Sequence, residues 1–302
     1  MGFVCGVFLL LSLPALVRTE VVDDFNTCPD FFLNDGGHFV TPTIFTEVDQ
    51  QTHHDRYQKI CQRRDNNIAI GNYEFATLYD TVSKIPVFSA YRVHGKTHTD
   101  RNANWFIEPQ LDNPSDDPFQ GTEQQGRGVA TMGPYQALKE DYEQSGYDMG
   151  HLFPVSHAHT QETADATFTL TNVVPQDRCL NEIWWRDLEG KIIKHLDNNL
   201  KQRFSEAYVV TGAVPGRSTI SNTVNVNVPG YLWTAFCCYN FKTKQGVSKA
   251  HIAPNDRSQR VINRKVADLE TFLSGTDGYN QPFSIFQGKC NSDYNQYIYE
   301  HD

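Results

Sequence analysis

Two stretches decide how this chain folds: Tyr147-Asp148-Met149-Gly150-His151-Leu152-Phe153-Pro154, and Thr169-Leu170-Thr171-Asn172-Val173-Val174-Pro175-Gln176-Asp177-Arg178-Cys179-Leu180-Asn181-Glu182-Ile183-Trp184-Trp185-Arg186-Asp187-Leu188-Glu189. If the first is extended, side chains alternate between faces, so Met149 and His151 share one face and Asp148 takes the other. Gly150 has no Cβ, which lets backbone or substrate approach closely. In the second, Leu180, Ile183, Trp184, Leu188, Ile192 and Leu196 recur at three- and four-residue spacing, which predicts a long helix after Pro175. Asn181 and Glu189 lie eight residues apart on it, two turns and a little more, so both can face one cleft.

The flanking sequence supplies a sheet. Glu74 to Val93 alternates apolar and polar residues around Ser83-Lys84, which reads as a hairpin of Phe75–Tyr79 with Pro86–Val93. Tyr208–Thr211 and Tyr231–Tyr239 read as strands, and Lys242–Gly246 as a turn into a strand over Val247–Ile252. Pro134–Ser145 is helix-like, with Pro in its first turn and Gly146 as its stop, and Arg257–Ser274 reads as an amphipathic helix closed by Gly275. Gln110–Gly128, rich in Asp, Pro, Gly and Gln, reads as a surface loop. Gly121–Gly128 within it lacks the Lys-Ser/Thr ending of a phosphate-binding loop, and no apolar strand leads into it. Strands and helices are interspersed without βαβ regularity, so the expected class is α+β, a mixed and largely antiparallel sheet core.

Phe3–Val17 is apolar, but too short and too near the N-terminus for a spanning helix, so residues 1–20 read as a secretory signal and 21–302 as one domain. No membrane span is expected in the mature chain. Six cysteines would then remain, Cys28, Cys61, Cys179, Cys237, Cys238 and Cys290, an even set suited to disulfides in a secreted, extracellular protein. Cys237 and Cys238 should find different partners, because neighbouring strand residues face opposite ways. No CxxC pair suggests a zinc knuckle. A net charge of -10 argues against a broad electropositive surface for nucleic acid, although a hydrolase needs only local positive charge and a metal.

Hydrolysis of a phosphodiester needs a base for water, neutralisation of phosphoryl charge and help for the departing oxygen, which one histidine and one Mg²⁺ can supply. The two deciding stretches resemble the DNA/RNA non-specific endonucleases of the ββα-metal, or His-Me finger, class. That family's signature is Asp-Arg-Gly-His, then Asn-x-x-Pro-Gln, then Asn with Trp and Glu downstream. Ala76–Asp80, Ile85–Tyr91, Trp105–Gln110, His151–Pro154 and Phe168–Asn172 extend the likeness toward its endonuclease domain-containing 1 branch, over roughly residues 25 to 275.

The resemblance implies His151 as general base, Asn181 as the metal ligand, Glu189 as organiser of metal-bound water, and Asn172 as a brace ahead of the helix. Arg101 would place a cation on the phosphate, with Arg92 or Arg127 as alternatives. The implied cofactor is Mg²⁺, with Mn²⁺ or another divalent cation as alternatives, and the implied partner is DNA or RNA gripped by its phosphate backbone. Met149 stands where the family pattern has arginine. Loss of one charge-stabilising donor lowers a rate by about two to three orders of magnitude. The rival readings are therefore a nuclease-fold binding protein without activity and a metallohydrolase of smaller phosphoesters.

Plainer roles stand beside these. Asn181 also suits a helix cap. Trp184 reads as core, Trp185 as packing or a base-stacking surface, Asp148 as a hydrogen-bonding support and Cys179 as a disulfide partner. His157 and His159 with His151 do not match a recognised zinc spacing. Oligomeric state is not written in the sequence.

Overall fold

The computed structural model describes residues 21–47, 55–63, 73–95, 97–101, 104–115, 121–122, 133–202, 204, 206–220, 225–290 and 292–293. The signal-peptide reading of residues 1–20, most of the 110–128 loop and Arg127 lie outside them, as does the side chain of Trp185.

A large antiparallel sheet organises the described residues. Its strands run in the order Val21–Val22, Tyr57–Gln62, Phe75–Asp80, Ile85–Val93, Glu206–Val214, Tyr231–Asn240, Gln245–Pro254 and Ile262–Arg264. Ser292–Asp293 adds a short parallel pairing to Gln245–Pro254. The expected hairpin is present, with Lys84 in the left-handed region at φ 53° closing its turn. The α+β class follows, since helices pack on the sheet without alternating with parallel strands.

Both faces of this sheet are buried, and the pleat divides the apolar residues into two cores. Trp233, Ala235, Cys237 and Tyr239 join Tyr208 and Val210 in one core. Leu232, Phe236 and Cys238 join Ala207 and Val209 in the other. The first core is covered by Phe25–Val40, the helix Val266–Ser274 and Phe283–Phe286, and it holds both disulfides, Cys28–Cys61 and Cys237–Cys290. Trp233 lies across Gly212, where an added Cβ would stand 2.3 Å from the indole, so only glycine fits that strand position.

The second core is capped by the helical run Arg178–Gln202, which buries Leu180, Trp184, Leu188, Ile192 and Leu196. These are the periodic residues of the sequence, and each fully buried side chain of this size contributes about 1.5–3 kcal/mol. The run is not uniform, because Trp184–Glu189 is wound as a π-helix between two α-helical pieces.

Three expectations are corrected. Only Lys139–Tyr142 is helical within Pro134–Ser145. The Asp112 carboxylate accepts from the backbone of Gly133 and Tyr135, and Gln136 bonds the Glu108 backbone, which holds the residues before Leu138 against the neighbouring loop instead of letting them coil. The last helix is Val266–Ser274, capped by Gly275 as expected, whereas Ile262–Arg264 pairs with the sheet edge at Ala250–Ile252. Cys179 and Cys238 are unpaired thiols. Cys237 and Cys238 do face opposite ways, but only Cys237 meets a partner, because both disulfides sit in the other core.

Candidate active site

Asp148–His151 and Val173–Gln176 form a separate antiparallel pair, with Val173 opposite His151 and Gln176 opposite Asp148. The helix Arg178–Ile183 follows directly, completing a strand–strand–helix unit. Gly150 is required where it stands, since an added Cβ would lie 2.0 Å from the Gln176 amide oxygen that crosses over it. Asp177, not Asn181, caps the helix, accepting from the backbone of Cys179 at 2.9 Å and Leu180 at 3.4 Å. Asn255 fixes this corner to the sheet by bonding Asp177 N and the Pro175 carbonyl.

His151, Asn181, Glu189 and Arg101 converge on one cleft of about 200 Å³, with Met149, Pro154, Val155 and Glu182 completing its wall. A regular α-helix would turn about 800° from Asn181 to Glu189, some 80° past two full turns. The π-helical stretch puts more residues into each turn and so brings the two side chains back toward a common bearing.

Asn181 donates its Nδ2 to Asp148 Oδ2 at 3.1 Å, which leaves the amide oxygen as the atom it offers to a cation. Asp148 thus supports the site by hydrogen bonding, with Arg178 Nε on its other oxygen at 3.5 Å. The His151 ring lies between Trp105, centroids 5.3 Å apart, and Phe168, at 5.1 Å. Its buried Nε2 has no hydrogen-bond partner among the described residues. Burial, with a smaller push from the Arg101 charge, lowers His151 to about 3, so its imidazole is neutral at ordinary pH. Arg101 itself rests over the Phe168 ring at 5.5 Å.

Glu189 is buried and raised to about 7 by that burial, against the opposing effects of a Ser156 hydroxyl on Oε2 at 3.2 Å and of Arg101. His157 Nε2 lies 3.0 Å from the Glu189 carbonyl and Nδ1 lies 2.9 Å from the Tyr91 hydroxyl. A carbonyl only accepts, so Nε2 carries the proton and Nδ1 receives the phenol. Both ring nitrogens are thereby committed to protein. His159 packs against His94 instead, the rings tilted by 37° with centroids 4.3 Å apart.

Two sequence candidates do not reach the cleft wall. Asn172 is fully buried and acts as a brace: Oδ1 accepts from Ser89 Oγ and Phe153 N, and Nδ2 donates to the carbonyls of Phe153 and Thr167. Arg92 pairs with Glu206 at 2.5 Å. Residues that sequence reasoning missed are Ser156, His157, Glu182 and the ring pair Trp105 and Phe168. Trp105 and Phe168 open two of the stretches that carry the resemblance, and Glu182 follows Asn181, but nothing in those stretches assigns them a place in the cleft.

The donor set suits a hydrated divalent ion. Among the described residues no three His, Cys, Asp or Glu side chains gather to cage a metal. The cleft offers instead one amide oxygen beside the carboxylates of Glu182 and Glu189. Mg²⁺ keeps most of its waters and needs few protein oxygens, so these residues fit it.

Residues 53–284 match the family described as DNA/RNA non-specific endonuclease. The chain belongs to that family. It is 33% identical over 289 residues to human "Endonuclease domain-containing 1 protein", covering 93% of this chain and 52% of the relative. The chain thus spans about half the length of that relative. Within the family it is also 33% identical over 147 residues to "Nuclease C1" of Cunninghamella echinulata var. echinulata, covering 44% of this chain and 56% of that protein. A solved chain of an EndoG/EndoGI complex matches with a TM-score of 0.43 and 18% identity, over 65% of this chain and 80% of that one. Family membership rests on the sequence match and not on that superposition.

Proposed function

We propose that residues 21–302 form one endonuclease domain that hydrolyses phosphodiester bonds of DNA or RNA with a divalent metal and little sequence preference. The observation that carries this is the convergence of His151, Asn181, Arg101 and Glu189 on one cleft built by a strand–strand–helix unit. Arg101 would hold a phosphate oxygen. The neutral His151 imidazole, in the wall of that cleft, would take the proton of the attacking water. Asn181 would hold the metal through its amide oxygen, with Glu189 and Glu182 orienting its waters. When bound, the cation would supply Lewis-acid stabilisation of the phosphoryl charge and the leaving oxygen. Contacts to the backbone, not to base edges, account for the absence of sequence preference. The two disulfides and the apolar N-terminal stretch support an extracellular location.

Met149 lines the cleft where the family pattern carries arginine, and this favours a second reading, a protein that binds nucleic acid without cutting it. Incubation with supercoiled plasmid, single-stranded DNA and RNA, with Mg²⁺ or chelator, separates the two. Metal-dependent nicking that disappears in His151→Ala supports the endonuclease. Binding without nicking supports the second reading, and cleavage of small phosphoesters alone would replace both with a metallohydrolase.

A further inference from the structure

The helical run that carries Asn181 and Glu189 also walls a second cavity, larger than the catalytic cleft, of about 480 Å³. The helix contributes Ile183, Asp187, Lys191 and His195 at four-residue steps. Facing them are Phe236, Lys249 and His251. Phe236 and Lys249 are direct cross-strand partners, and His251, two residues along, shares their face of the sheet. None of these seven lines the cleft, and the proposed hydrolysis uses none of them.

The chemistry of the walls is specific. Val261 and the His195 ring form the apolar part of the wall over the buried Ile192 and Phe236, with the His195 ring 5.8 Å from the Phe236 ring. Two lysines stand against one aspartate, a local excess of positive charge in a chain of net charge -10. His251 Nδ1 lies 2.8 Å from Asn263 Oδ1, an oxygen that only accepts, so Nδ1 carries the proton and Nε2 is the acceptor. The Lys249 charge adds to burial in holding both His195 and His251 neutral, at about 4. An occupant must therefore bring a flat apolar ring, an anionic group and a hydrogen-bond donor. The volume lies within the range of sites for small organic ligands.

We propose that this cavity binds a small aromatic phosphomonoester of mononucleotide type, its ring against Val261 and the His195 ring and its phosphate between Lys191 and Lys249. The same chemistry is presented by a free nucleotide and by the 5′-phosphorylated end of a strand. Calorimetric titration of the full chain with adenosine 5′-monophosphate, adenosine, inorganic phosphate and a 5′-phosphorylated hexanucleotide tests it.

The nucleotide should bind in the range of about 1 mM or tighter, and adenosine or phosphate alone at least about tenfold more weakly. Lys191→Gln with Lys249→Gln should weaken the nucleotide about tenfold while leaving plasmid nicking unchanged, and His151→Ala should leave nucleotide binding unchanged. Binding of the hexanucleotide as well identifies a strand end as a source, and binding of the nucleotide alone identifies the free molecule. Absence of nucleotide binding, or binding lost in His151→Ala and kept in the lysine variant, overturns the proposal. Should the lysine variant fail to fold, the imidazole NMR signals of His195 and His251 in the unsubstituted chain decide, and failure of both to shift on nucleotide titration also overturns it.

Discussion

His157 donates its Nε2 proton to the main-chain carbonyl of Glu189 at 3.0 Å, tying the last residue of the π-helical stretch to the segment that follows the candidate base. With the Ser156 hydroxyl on the Glu189 carboxylate, two adjacent residues fix both ends of that glutamate. The position of the second carboxylate in the cleft is therefore set from outside its own helix.

Substituting His157 by Ala removes a donor from the Glu189 carbonyl and the acceptor of the Tyr91 hydroxyl proton, leaving Tyr91 only its Thr211 contact. Stability should fall by about 1–3 kcal/mol for each group left unsatisfied, read from urea unfolding. Nicking should fall as well, because Glu189 loses its anchor. Unchanged stability together with unchanged nicking would show that the contact is unimportant.

His151 is held at about 3, below its ordinary 6.5, so the neutral form persists as pH falls and is lost only near the lower value. In the metal-free protein its imidazole should show no titration between pH 7 and 5 by NMR. Removing the nearby cation in Arg101→Ala should move its midpoint upward, since Arg101 is one of the two causes of the depression. A midpoint near 6.5 in the unsubstituted chain would contradict the desolvation of this ring between Trp105 and Phe168.

Asn172→Ala removes four hydrogen bonds at a fully buried position, those to the Phe153 backbone N–H and carbonyl, the Thr167 carbonyl and Ser89, whose hydroxyl keeps only Thr77. A loss of about 3 kcal/mol or more is expected in chemical denaturation. The His151 strand should loosen with it, visible as faster amide exchange at Leu152 and Phe153. Full stability in this variant would remove Asn172 from its bracing role.

Met149→Arg places a cation in the wall of the cleft. Nicking should rise by about a hundredfold if phosphoryl charge is under-stabilised in the present chain. A rate that stays level while DNA affinity rises would assign the change to binding alone.

Much of this was legible in the sequence. The apolar period from Leu180 to Leu196 gave the long helix, and strand alternation gave the opposite bearings of Cys237 and Cys238. His151, Asn181 and Glu189 were expected to share a cleft from the resemblance, and they line one together with Arg101, one of three arginines offered for the phosphate. The π-helical turn was not legible, because a wider winding leaves the apolar pattern almost unchanged while correcting the eight-residue spacing. The Pro134–Ser145 helix was misread because its backbone bonds go to Asp112 and Glu108, which are remote in sequence. Cys179 looked like a disulfide half because an even count carries no information about position. Ser156 and His157 act on Glu189 from more than thirty residues away, and no local pattern records that.

The adjacency of Cys237 and Cys238 on a central strand imposes an order on maturation. Along the chain Cys290 has two thiols of equal access, and only the finished pleat hides Cys238 on the opposite side. A slip of one residue while oxidation proceeds would present the wrong sulfur. Sheet assembly must precede cross-linking if the native isomer is to dominate, and replacing Cys238 with serine should raise its yield in refolding mixtures mapped by peptide mass.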